Sequence, residues 1–238
     1  MSFLEIRGVN LAAVGVYTIP QAASLVRLPL ATVDAIVGPK LSAGGQPRQF
    51  PVALSDDAFG IGEPLITFQG LMALWVAAEL HDQGIPWPSI RYAAYQASKI
   101  LQTEHPFTLG TFRTEGRRVF MALEGKGERA PKAALDLLSR QQVFEEVIER
   151  SLGPKIVVRG KDGRIQRWYP LGRKFNVVLD PERRFGEPID PESGIPTSSL
   201  CEAFHGEGGN VKAASRWFST SVKAVRDAVA FEQWLNRR

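Results

Sequence analysis

The chain has 238 residues, 44 % of them apolar, and 29 Lys and Arg against 25 Asp and Glu give a net charge of +4. A single cysteine, Cys201, excludes a disulfide framework and argues against a cysteine-based zinc site. No apolar run approaches the ~20 residues of a membrane span, and the N-terminus lacks the order of a signal peptide, so no membrane contact and a cytoplasmic location are expected.

Thr18 and Pro20 open a first helix, with Ile19, Ala22, Ala23 and Val26 at helical spacing. Pro29 breaks it, and a second short helix follows over 30–37 with Val33, Ile36 and Val37 on one side. Two short helices across a tight turn make a helix-turn-helix pattern. Residues 40–64 are rich in Gly and Pro and read as loop, with short strands over 49–54 and 65–68 that would serve as a wing. A strong helix is expected over 69–83, with Leu71, Leu74, Trp75 and Ala78 on one face and Gly84 as its stop. After Pro86-Trp87-Pro88 a further helix carries Ile90, Ala93, Ala94, Ala97 and Leu101.

The pattern over 105–123 is strand, turn and strand, with Glu115-Gly116 at the turn. Residues 125–131 read as a linker. A helix is expected over 132–152, with Leu135, Leu138, Phe144, Val147 and Ile148 as its apolar side. Strands over 155–159 and 164–169 flank Asp162-Gly163, and a third strand covers 175–179. Three helices end the chain: 196–204, one capped by Asn210, and one capped within Ser219-Thr220-Ser221. The fold class is thus mainly α with small β elements. Its parts are a winged helix-turn-helix domain over 1–103, a hairpin-helix-hairpin connector over 104–174, and a C-terminal strand and tri-helix over 175–238.

Residues 1–103 carry 6 Lys and Arg against 7 Asp and Glu, whereas residues 104–238 carry 23 against 18. The basic excess therefore lies in the second part, a mild bias compatible with nucleic acid. On the tri-helix, Lys212, Arg216, Thr220, Ser221, Lys223 and Arg226 surround a helix N-terminus that could meet phosphate or enter a major groove. The bland alternative is that the hydroxyls only cap and the cations only solvate. In the first domain Gln21, Arg27, Thr32, Arg48 and Arg91 are the corresponding DNA candidates. Asp34 on the second helix opposes that use, because a carboxylate near phosphate is repelled. Residues 150–174 hold eight Lys and Arg against Asp162 alone, interrupted by Trp168 and Tyr169. That mixture suits a nucleic-acid groove, or a solvated hairpin with its aromatics in the core. Trp217, Phe218, Phe231 and Trp234 must supply part of the small module's core and leave a remainder for a partner. His81, His105 and His205 are isolated, so no metal, cofactor or catalytic set is expected.

Two stretches resemble known families. Residues 17–102 resemble the MerR-type winged helix-turn-helix, through Tyr17-Thr18-Ile19-Pro20-Gln21-Ala22-Ala23, Ile66-Thr67-Phe68 and the joint Leu80-His81-Asp82-Gln83-Gly84-Ile85-Pro86-Trp87-Pro88-Ser89-Ile90-Arg91. They depart from it in offering Thr32 and Asp34, with no Lys or Arg, on the second helix. Residues 175–235 resemble a small bacterial antitoxin family, through the order strand, Asp180-Pro181, Phe185-Gly186-Glu187-Pro188, Gly194-Ile195-Pro196 and three helices. A chain joining both resembles a larger VapB-type antitoxin. The resemblance implies a PIN-like ribonuclease toxin as partner and autorepression at a double-stranded operator, and a homodimer is expected of a palindrome reader. Arg159, Arg167 and Arg173 would face the toxin's acidic site, with Trp168, Tyr169, Phe175 and Val177 beside them, and the strand over 175–179 would offer an edge to a toxin sheet. The alternative is a stand-alone MerR-like regulator whose ligand pocket is walled by Trp75, Trp87 and Tyr92; a third reading is an RNA-binding protein using 150–174.

Overall fold

The structure, a computed structural model, describes residues 14–37, 65–103, 105–109 and 157–237, and the backbone of short strands elsewhere. Near the N-terminus, β1 (Glu5–Ile6) pairs with β2 (Val9–Asn10). Then come β3 (Val16–Thr18), α1 (Ile19–Val26), α2 (Leu30–Val37), β4 (Ala53–Leu54), β5 (Leu65–Thr67), α3 (Phe68–Asp82) and α4 (Trp87–Leu101). A helical turn, α5 (Pro106–Leu109), leads to β6 (Phe112–Glu115), β7 (Arg118–Leu123), β8 (Ala133–Asp136), β9 (Gln142–Phe144) and β10 (Arg150–Ser151). The chain closes with β11 (Val157–Arg159), β12 (Ile165–Trp168), β13 (Val178–Leu179), β14 (Pro188–Ile189), α6 (Thr197–Gly206), α7 (Val211–Trp217) and α8 (Val222–Asn236). The described residues are thus mainly helical, with small antiparallel sheets.

Local chemistry sets the first elements. The Thr18 hydroxyl accepts the Gln21 amide, and the Gln21 side chain accepts the Thr18 amide at 2.9 Å. This reciprocal box fixes the start of α1. Thr67 caps α3 by accepting the Gly70 amide at 3.0 Å. β5 lies between β3 and β4, with Tyr17 opposite Ile66. The expectation of one apolar face on α3 is exceeded. Phe68, Leu71, Met72, Leu74, Trp75, Val76 and Leu80 are all buried, so α3 is the central helix and is covered all round. Gly84, at φ +89°, lets the chain turn out of it.

Three expectations are corrected. The helix over 132–152 is replaced by β8, β9 and β10. β7 is six residues long, and pairing with β6 on one side and β8 on the other satisfies its peptide groups along both edges. Helical spacing of apolar residues is therefore overridden by sheet pairing. The expected first strand of this region begins as the helical turn α5, where Thr108 donates through its hydroxyl to the His105 carbonyl at 2.8 Å. Finally, the strand over 175–179 shrinks to Val178–Leu179. Asn176 gives its backbone N–H to Asp227 at 2.8 Å and its amide to Asp190 at 2.7 Å, so side-chain carboxylates replace the ladder there.

The 112–123 hairpin and the hairpin around Asp162-Gly163 form as the sequence indicates. One main core gathers Tyr17, Leu71, Ala93, Phe107, Trp168, Leu179 and Phe231, residues from all three sequence segments. A smaller core of Leu200, Ala214, Ala224, Val225, Ala228 and Val229 holds α6, α7 and α8 together. α8 belongs to both: its first half packs inside the three-helix unit, and Phe231 docks into the main core.

Candidate functional site

The three-helix unit exposes four cations of the sequence-predicted set, Lys212, Arg216, Lys223 and Arg226. α7 and α8 meet across residues 218–220, where Ser219 takes φ +50°. Asn210 caps α7, and Ser221 caps α8 by accepting the Ala224 amide at 3.0 Å. Lys212, Arg216 and Arg226 are exposed around this joint, and Thr220 is half-buried within it. Lys223 is spoken for: it pairs with Asp227 and donates to the Lys174 carbonyl. Trp217 is 74 % exposed at the end of α7, and Phe218 beside it is also exposed, whereas Phe231 is buried and Trp234 half-buried. The four aromatics thus divide, two outward and two inward.

The DNA candidates of residues 1–103 lie on separate elements. Gln21 is consumed by the capping box. Arg27 is exposed in the left-handed cap of α1, donates to the Arg237 carbonyl at 2.9 Å and lies 5.2 Å over the Trp234 ring. It fastens α1 to the end of α8. Thr32 is half-buried in α2 and Arg91 is exposed on α4. Arg48 lies outside the described residues. α4 also exposes Tyr92 and Tyr95, with Lys99 4.3 Å over the Tyr95 ring.

The basic hairpin keeps its cations Arg159, Arg167 and Arg173 exposed but buries Trp168 and Val177, which removes those two from the expected toxin contact. Arg159 donates to the Thr108 carbonyl at 2.5 Å and the Gly163 carbonyl at 2.7 Å. Burial lowers its guanidinium from the ordinary value. Arg167 pairs with the buried Asp180 at 2.7 Å. Trp168 is 2 % exposed, with its ring 5.8 Å from Trp75, and Val177 is buried in the same core. Neither can meet a partner in this fold. β13 runs between β12 and β14, so it offers no free edge. Of that set Arg159, Arg167, Arg173 and Phe175 are exposed and Tyr169 is half-buried, with Arg173 stacked 5.5 Å over Tyr169.

A second feature escaped sequence reading. Arg184, Phe185 and Gly186 all take positive φ, at +48°, +56° and +83°. A left-handed non-glycine residue costs about 1–2 kcal/mol, so two in a row must be held. Tyr17 holds them: its hydroxyl donates to the Gly186 carbonyl at 2.7 Å. Burial, and Asp180 nearby, raise this phenol well above its ordinary value, so it remains a donor. The turn presents Phe185, 47 % exposed, at the rim of a groove of about 450 Å³ between α1, α6 and α8. Only Gly186 signalled this turn in the sequence.

Trp75, Trp87 and Tyr92 are engaged separately: Trp75 faces Trp168, Trp87 stacks 4.6 Å from His81, and Tyr92 is exposed. Among the described residues no group of three or more His, Cys, Asp or Glu gathers as a metal site, and no helix is long and apolar enough to cross a membrane.

No protein-family model matches the chain, and no curated protein matches it. Among solved structures the chain is similar to Rv2018 from Mycobacterium tuberculosis, with a TM-score of 0.61 over 90% of this chain and 96% of that chain at 18% identity. At that identity the likeness shows a shared fold and nothing more.

Proposed function

We propose that the protein is a VapB-type antitoxin. It binds and neutralises a PIN-like ribonuclease and binds operator DNA as a homodimer to repress its own operon. In this reading residues 1–103 form a winged helix-turn-helix, with α1 and α2 as the helix pair and the chain around β4 and β5 as the wing. Residues 175–238 form the antitoxin tri-helix.

One observation carries the proposal. The α7–α8 joint has a capped helix N-terminus, with exposed Arg216 in the last turn of α7 and exposed Arg226 on α8, residue types with which a helix-turn-helix meets phosphate. The sequence order of strand, Asp-Pro, Phe-Gly-x-Pro and tri-helix supplies the toxin half. The first domain lacks cations on α2 and serves more as scaffold than as reader.

The test is direct. The full chain is expected to shift its own promoter DNA in a gel assay, and to co-elute with a PIN-like product of an adjacent reading frame. A promoter shift without any such partner supports a stand-alone regulator instead. Neither result obtained would remove the proposal.

A further inference from the structure

The groove beside the Arg184–Gly186 turn has a different character from the rest of the chain. Glu187 and Glu232 line it, with no Lys or Arg among its described lining residues. The chain as a whole is basic, so this is an acidic site on a cationic protein. Leu25, Pro188 and Leu235 give it apolar walls. Glu232 is half-buried and accepts one hydrogen bond, from the Thr197 hydroxyl at 2.5 Å. Its field reaches Cys201, whose thiol is raised by burial first and by Glu232 next. Arg27, the cap that ends α1, is engaged by Trp234 and the Arg237 carbonyl.

The rim adds an independent observation. Phe185 is displayed on consecutive left-handed residues, and a buried tyrosine hydroxyl clamps the turn. An exposed aromatic held in a strained turn suits an interface better than a solvated loop. Phosphate would be repelled by the two carboxylates, so nucleic acid is a poor occupant.

We infer that this groove is the docking site for the ribonuclease partner, taking an apolar segment of it that carries one lysine or arginine between Glu187 and Glu232, with Phe185 covering the segment. The inference rests on the antitoxin reading. It separates the two binding roles: the exposed cations of the α7–α8 joint meet DNA, and the acidic groove meets protein.

The experiment is calorimetric titration of the full chain with the ribonuclease product of its adjacent gene, at low and high salt. Three variants are compared with the wild type: Phe185→Ala, Glu187→Lys, and Glu232→Gln, which keeps an acceptor for Thr197. Each is expected to weaken binding by about ten-fold or more. Circular dichroism and Tm report that the variants remain folded. The wild-type affinity should fall with salt, and the Glu187→Lys affinity should not. If the wild type binds and all three folded variants bind within about two-fold of it, the groove is overturned and the antitoxin reading stands. If the wild type binds no adjacent product, the antitoxin reading fails and the groove assignment falls with it.

Discussion

The Tyr17 hydroxyl donates to the Gly186 carbonyl at 2.7 Å, joining positions 169 residues apart in sequence. This bond ties β3 of the N-terminal sheet to the turn ahead of β14. It also fills the space a Cβ at Gly186 would need, so that position is closed to other residues both sterically and by its φ of +83°. Tyr17→Phe keeps the ring and leaves the carbonyl unpaired. A loss of about 1–2 kcal/mol is expected, read by urea denaturation, with accessibility of Phe185 rising. An unchanged midpoint would show that the turn holds itself.

Asp190 is buried and accepts three hydrogen bonds at 2.7 Å, from the Ser193 amide, the Ser193 hydroxyl and the Asn176 side chain. It organises the corner that leads into α6. Asp190→Ala strands these donors and should cost about 2–3 kcal/mol. Asp190→Asn, which retains an acceptor, should cost less. Equal losses from both substitutions would argue that the carboxylate charge, rather than its acceptor geometry, holds the corner.

Much of this fold is legible locally, because short-range chemistry decides it. Thr18, Thr67, Asn210 and Ser221 each cap the helix that follows, as their residue types indicate. What misleads is any stretch whose outcome depends on a distant neighbour. Residues 132–152 carry apolar residues at helical spacing, yet they supply strands because the edge of β7 is there to pair with. Asn176 leaves the ladder because Asp190 and Asp227, far along the chain, take its donors. The candidate site follows the same rule. The exposed cations of the α7–α8 joint are readable from their positions on two helices. The inward turn of Trp168 against Trp75 is not, nor are the partners that the exposed Arg159 and Arg167 find in the Thr108 carbonyl and Asp180, because these depend on distant parts of the chain. Positive φ at Arg184 and Phe185 leaves no residue-type signal at all.

The inward placement of Trp168 yields a sharp expectation. Trp168→Ala removes a buried indole from the main core beside Trp75, at a cost of about 3–5 kcal/mol. Its effect on partner binding should follow the loss of folded protein. A well-folded Trp168→Ala chain that selectively loses its partner would return this residue to the interface.

Glu79 provides a pH signature. Burial first, and Asp82 next, raise its carboxyl above the ordinary value of 4.5, opposed by a hydrogen bond from Trp75. A raised carboxyl means that the folded chain binds the proton more tightly than the unfolded one. Stability is therefore highest below the unfolded value and falls as pH rises through the interval up to the folded value. Glu79→Gln should raise Tm at pH 7 and flatten this fall. The variant's advantage should vanish in acid. A Tm lowered at every pH would mean that the Trp75 hydrogen bond outweighs the burial of charge.

On DNA, the α7–α8 joint should behave as a phosphate contact. Arg216→Ala and Arg226→Ala are each expected to weaken promoter binding and to reduce the slope of log affinity against log salt by about one. Arg27→Ala should leave that slope unchanged, since its guanidinium serves Trp234 and Arg237. A slope altered by Arg27→Ala and untouched by the other two would move the DNA contact to the N-terminal helices.

The measurement closest to the proposed function is RNA cleavage by a PIN-like ribonuclease, the partner the proposal expects from an adjacent reading frame, titrated with this chain. The account predicts that activity falls linearly to background at a fixed stoichiometric ratio, and that the Phe185→Ala chain needs a large excess to do the same. Full ribonuclease activity in the presence of saturating wild-type chain would contradict it.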